Sequence, residues 1–104
     1  MLRIQGIAVR MIADLRGSLV GIEKADRDLG RQMRRAAASV VLNLAEGSGC
    51  SGGTRRERYR SAQGSLREVE AVLEVAVALG YVGEVPAGVR EGIAIVGSSL
   101  RKLT

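Results

Sequence analysis

Histidine, phenylalanine and tryptophan are all absent from this chain of 104 residues, and it holds one cysteine, one proline and two tyrosines. Each shortage excludes something. Without histidine the chain lacks the commonest general base and the commonest metal ligand near neutral pH. A lone cysteine, Cys50, closes no disulfide within the chain and builds no thiolate cage. Neither a metal nor a cofactor is expected. With so few aromatic rings the core must come from Leu, Val, Ile and Ala, which suits close helix–helix packing better than a broad sheet sandwich. A single proline, Pro86, leaves the long segments free of forced breaks. No apolar run approaches the ~20 residues a membrane span needs. The Arg-punctuated first segment does not read as a signal peptide. A cytoplasmic protein with no membrane partner is the expectation.

What is present describes one domain, residues 1–104. Apolar residues make up 46%, enough for a single core with little surplus. The net charge is +5, carried by 14 Arg against 2 Lys. A basic balance alone is weak evidence for nucleic acid. Glycine is high, at 14, and Gly17, Gly64, Gly92 and Gly97 fall inside apparent helices. Each costs roughly 0.5–1 kcal/mol relative to Ala there. Either helices approach closely at these points, or assembly completes a marginal monomer.

The chain is organised around residues 34–68. Arg35, Ser39, Asn43 and Glu46 fall at i, i+4, i+8 and i+11, one stripe of a helix. Beside it lies an apolar stripe of Leu29, Met33, Ala36, Val40 and Leu44. Ser65 and Glu68 flank a second apolar stripe, Ala62, Leu66, Val69 and Leu73. Buried hydroxyls, amides and carboxylates cost on the order of 1–3 kcal/mol each unless hydrogen-bonded. These six polar residues are expected to form a buried network between helices.

Periodicity places four helices. The first runs over residues 2–22, with Ile4, Ala8, Met11, Leu15, Leu19 and Ile22 on one face. A charged turn over 23–28 follows, in which Asp26 or Asp28 caps the second helix, 28–46. That helix is apolar nearly all round. Ala38, Val41, Leu42 and Ala45 lie opposite its main stripe, so a second chain is expected to cover them. Residues 47–54 read as a glycine loop with Gly47 as a left-handed cap. No GxxxxGK[ST] occurs, so the loop is not a P-loop. Thr54 to Glu57 spell a capping box that starts the third helix. It ends at Leu79 before Gly80. A turn over 83–88 carries Pro86, and Val89, Ile93, Val96, Leu100 and Leu103 define the fourth helix. Short loops imply an all-α, antiparallel, up-down-up-down four-helix bundle.

Two surfaces stand out. Arg55, Arg56, Arg58 and Arg60 crowd the start of the third helix against the preference of its macrodipole. Beside the glycine loop they are a candidate nucleic-acid-binding patch. Arg27, Arg31 and Arg34 form a weaker cluster at the far end of the second helix. Gly64, Ala71, Val75 and Ala78 share one side of the third helix. With Ala38, Val41, Leu42 and Ala45 they are the candidate homo-oligomer interface.

The ordered motifs from Gln32 to Val82 resemble the four-helix bundle protein family, also called the 23S rRNA intervening-sequence protein family. They are Gln32, Arg35, Ala36 and Ser39; Asn43, Ala45, Glu46 and Gly47; Ala62, Gly64, Ser65 and Glu68; and Leu79, Gly80 and Tyr81. The first helix departs from that pattern, lacking the aromatic-rich start usual in the family. The resemblance implies a helical bundle that assembles into a ring-like homopentamer and carries no enzymatic activity. It also implies a link to ribonucleoprotein or reverse-transcriptase accessory roles, for a more distant group of relatives.

Three functions follow for testing. The first is a non-catalytic nucleic-acid-binding or ribonucleoprotein accessory module that holds RNA or DNA through its backbone. The alternative is an oligomeric scaffold for a partner protein, with no nucleic-acid binding. The third is an enzyme with Glu46 and Glu68 as paired carboxylates. Metal sites in bundles want Glu-x-x-His motifs, and no catalytic residue is assigned here.

Overall fold

Apolar residues recurring every three or four positions form four helices in the structure, a computed structural model that describes residues 3–104. They are α1 (Arg3–Ala25), α2 (Arg27–Ser48), α3 (Gly52–Ala78) and α4 (Ala87–Leu103). No strand occurs among the described residues. The expected start of the first helix at residue 2 lies outside them. All four helices contribute to one core, including Met11, Leu15, Ile22, Met33, Val40, Leu44, Val69, Val96 and Leu100. Fully burying such a side chain contributes about 1.5–3 kcal/mol. Ile4, Leu19, Leu29 and Ile93 of the expected stripes are only partly buried, and Leu103 is exposed. Ser18 takes a place in α1's inward stripe that the apolar pattern does not mark.

α2 packs on α1 and α3, and α4 packs on α1 and α3; the α2–α3 contact is the most extensive. Close pairs fix how the helices meet. Ser39 touches Ser65, Gln32 reaches Glu68 and Arg58 reaches Glu46 between α2 and α3. Between α1 and α4, Gly92 lies on Met11 and Gly88 by Asp14. A Cβ at Gly92 would sit 2.9 Å from Met11 Cβ, so this glycine marks a close approach of helices. Gly17 and Gly64 have open space instead and serve no packing within the chain.

The connections are shorter than the sequence suggests. The expected 23–28 turn reduces to Asp26, whose carboxylate accepts from the Leu29 N–H at 3.0 Å and caps α2. Asp28 sits exposed in the first turn, where its charge suits the helix dipole. The expected loop over 47–54 reduces to residues 49–51. Gly47 is not a left-handed cap. It is buried inside α2, because the Tyr59 ring occupies the space where its Cβ would be. The capping box does not form either. α3 begins three residues earlier, capped at Ser51 with no side-chain bond, and Gly52 supplies φ +60°. Past Ala78 the expected ending is present. Gly80 takes φ +76°. Tyr81 N–H donates to the Ala76 carbonyl at 2.8 Å, and Gly80 N–H donates to the Val77 carbonyl at 3.1 Å. These are the two bonds of a Schellman motif. Pro86 occupies the N-cap of α4.

Candidate functional site

The polar stripe divides into parts. Ser65 Oγ donates to Ser39 Oγ at 2.7 Å, and Asn43 Nδ2 donates to Ser39 Oγ at 3.0 Å and to the Ser39 carbonyl at 2.9 Å. These three are half-buried and bridge α2 to α3. The other three are exposed or reach solvent, which corrects the expectation of one buried network. Arg58 Nε holds Glu46 at 3.1 Å, Gln32 Nε2 donates to Glu68 at 3.2 Å, and Arg35 has no hydrogen bond or ion pair among the described residues. The reason is position: α2 turns this stripe along the outer edge of its contact with α3, where long side chains reach solvent while short ones stay beneath. Asn43→Leu should therefore lower stability by about 1 kcal/mol, or roughly 4–8 °C in melting temperature. Glu46→Gln, losing only an exposed ion pair, should change it by a few tenths of a kcal/mol. Thermal melts followed by circular dichroism compare the two; equal losses would mean that all six residues act as one unit.

Glu46 and Glu68 are not paired carboxylates. Arg58 marks Glu46's position along α3, and Glu68 lies ten residues further on the same helix. At the rise of an α-helix that separation is about 15 Å along the axis. Among the described residues no group of three metal-ligating side chains converges.

The arginine patch is exposed at all four positions, but its members differ. Arg55 folds back, and its Nε donates to the Cys50 carbonyl at 2.7 Å and to the Gly47 carbonyl at 3.2 Å. It satisfies one carbonyl in the last turn of α2 and one just beyond it, where a cation suits the helix dipole. Its position against α3's own dipole is thereby explained within the chain. Arg58 holds Glu46. Arg56 and Arg60 form no ion pair among the described residues; Arg60 borders a shallow polar depression with Thr54, Glu57, Arg58 and Ser61.

Packing adds cations that the sequence analysis does not include. Between α2 and α3, Ser39 meets Ser65 and Glu46 meets Arg58, and between α1 and α4, Met11 meets Gly92 and Asp14 lies by Gly88. Arg3 opens α1 and Arg101 and Lys102 stand in the last turn of α4; all three are exposed and none forms an ion pair among the described residues. Elsewhere acids and bases pair. Arg34 pairs with Glu23, Arg31 with Asp28 at 3.9 Å and Arg90 with Glu84 at 3.7 Å. Arg31 and Arg34 of the weaker cluster are thus engaged. The signal for the added residues is their place at helix ends, which gains meaning only once neighbouring helices are known.

The candidate interface residues lie outside the core. Ala38, Leu42, Gly64, Ala71, Val75 and Ala78 are at least partly exposed, and Val41 and Ala45 are half-buried. Leu42 is 61% exposed and Val75 44%.

No curated protein and no solved structure matches this chain. Residues 16–91 match the family model of the 23S rRNA-intervening sequence protein. That match spans part of α1, all of α2 and α3 and the start of α4. The chain belongs to the 23S rRNA-intervening sequence protein family.

Proposed function

We propose that this protein is a non-catalytic, self-associating bundle that holds nucleic acid by its backbone, as a ribonucleoprotein accessory module in the cytoplasm. The observation that carries the reading is the one-ended charge: seven cations from three helices face two carboxylates at one end, while acids and bases balance at the other. Contact pairs such as Ser39 with Ser65 and Met11 with Gly92 support an antiparallel, up-down-up-down arrangement. The uncovered apolar residues on α2 and α3 support assembly, for which a ring of five is our reading. Five copies of a +5 chain would carry about +25 and repeat the basic end around one rim, so weak sites would add. Binding would be sensitive to salt and tolerant of sequence.

Arg56 and Arg60 are the members to remove first, because Arg55 and Arg58 already have partners within the chain. Replacing both by Ser should leave the melting temperature level and lower the slope of log affinity against log salt by about 0.9 per arginine on duplex DNA. Binding of labelled RNA and DNA at two salt concentrations, with light scattering of the same samples, measures this. No binding by wild-type protein at low salt would turn the reading to the alternative, an oligomeric scaffold for a partner protein. One observation favours that second reading. An open groove of about 420 Å³ between α3 and α4 is lined by Leu73, Val77, Val85 and Ile93, with Glu70 and Arg90 among its polar residues.

A further inference from the structure

We propose that the basic end takes double-helical nucleic acid in preference to single strands, and that Arg67 extends its contact along α3. This rests on the nucleic-acid-binding reading above and adds the form of the ligand.

Among the described residues the surface offers no ring on which bases can stack at this end. Tyr59 is 2% exposed, with its ring against Gly47. Tyr81 lies beyond the C-terminus of α3, away from the basic end, and the chain has no Phe or Trp. Proteins that hold single strands without sequence preference combine a charged groove with aromatic side chains that stack successive bases. Here the rings are missing, and the depression beside Arg60 is a shallow one lined by five residues.

What the surface offers is a straight row of cations on a rigid element. Arg56, Arg60 and Arg67 are spaced four and seven residues apart on α3. They therefore share one stripe of the helix over about 16 Å of its axis. All three are exposed, and none forms an ion pair among the described residues. The base of the row is fixed as well: Arg55 ties the start of α3 to the end of α2 through the Gly47 and Cys50 carbonyls, and Arg58 ties it through Glu46. Cations at fixed spacing suit phosphates at fixed spacing. A duplex presents one negative charge per ~1.7 Å of axis, twice the density of one strand, and it cannot splay its bases onto a surface without losing its pairing. RNA and DNA duplexes share this chemistry, so the measurement has to separate them.

Fluorescence anisotropy with labelled duplexes of about 20 base pairs, one of RNA and one of DNA, compared with each component strand at two salt concentrations, tests the inference. Binding of one or both duplexes roughly fivefold tighter, or more, than of either strand is expected from the doubled charge density. Which duplex binds tighter identifies the source. Arg67→Ser should leave the melting temperature unchanged and reduce the salt slope on the preferred duplex by about 0.9. Equal or tighter binding of the single strands would overturn the inference while leaving the nucleic-acid reading standing. An unchanged slope in Arg67→Ser would remove the α3 row from the contact. No binding of any probe would overturn the inference and the reading beneath it together.

Discussion

Gly47→Ala should lower the melting temperature, although alanine is the better helix former. Gly47 lies inside α2. Ala would ordinarily add about 0.5–1 kcal/mol at such a position. A Cβ there would stand 2.5 Å from Tyr59 Cε1 and 2.8 Å from Cδ1. The Tyr59 ring is buried, so it cannot swing into solvent without opening the core. Overpacking of this kind costs about 1–3 kcal/mol. The clash outweighs the propensity gain, and the net loss of about 1–2 kcal/mol corresponds to roughly 5–15 °C for a domain of this size. Gly17→Ala is the control, since nothing lies within 4 Å of a Cβ at that exposed site. It should raise the melting temperature by the propensity term alone. In a Tyr59→Leu background the cost of Gly47→Ala should shrink, because the flat ring is what it meets. Similar rises for Gly47→Ala and Gly17→Ala would show that the ring yields freely.

Val41→Glu together with Val75→Glu should disperse the assembly. Neither residue is needed to complete the single-chain core: Val41 is half-buried at its edge and Val75 is 44% exposed. Both lie on the faces of α2 and α3 that we assign to contact with further copies. Burying two unpaired carboxylates per chain would cost several kcal/mol at each contact, more than a small apolar interface returns. Sedimentation should show the mass falling from several chains to one, with helicity retained. A doubly substituted protein of wild-type mass would exclude these faces from the interface. A wild-type protein sedimenting as a single chain would exclude the assembly altogether.

The two substitutions differ in how far sequence alone leads to them. The faces of α2 and α3 are legible because a helix wheel converts spacing directly into direction. Gly47 reads wrongly as a left-handed cap, because a glycine beside Ser-Gly-Cys-Ser-Gly-Gly looks like the end of a helix in any local pattern. Its partner, Tyr59, stands twelve residues on, and no local pattern links the two. Arg55 illustrates the same limit. Its conflict with the dipole of α3 is visible in sequence, whereas the Gly47 and Cys50 carbonyls that resolve it become visible only in the fold.

By itself the sequence determined the four helices, the apolar stripes, the glycine stop after Ala78 and the family. Each depends on periodicity or on the φ that one residue adopts, which are local properties. Tertiary structure alone decided which polar residues meet. It left Ser39, Asn43 and Ser65 bonded across α2 and α3, and it turned Arg35, Glu46 and Glu68 towards solvent. In the arrangement proposed above it also puts Arg3, Arg101 and Lys102 at the end that carries the arginines of α3. Burial and charge density depend on how neighbouring helices are placed, and residues at opposite ends of the chain become neighbours only when the helices pack.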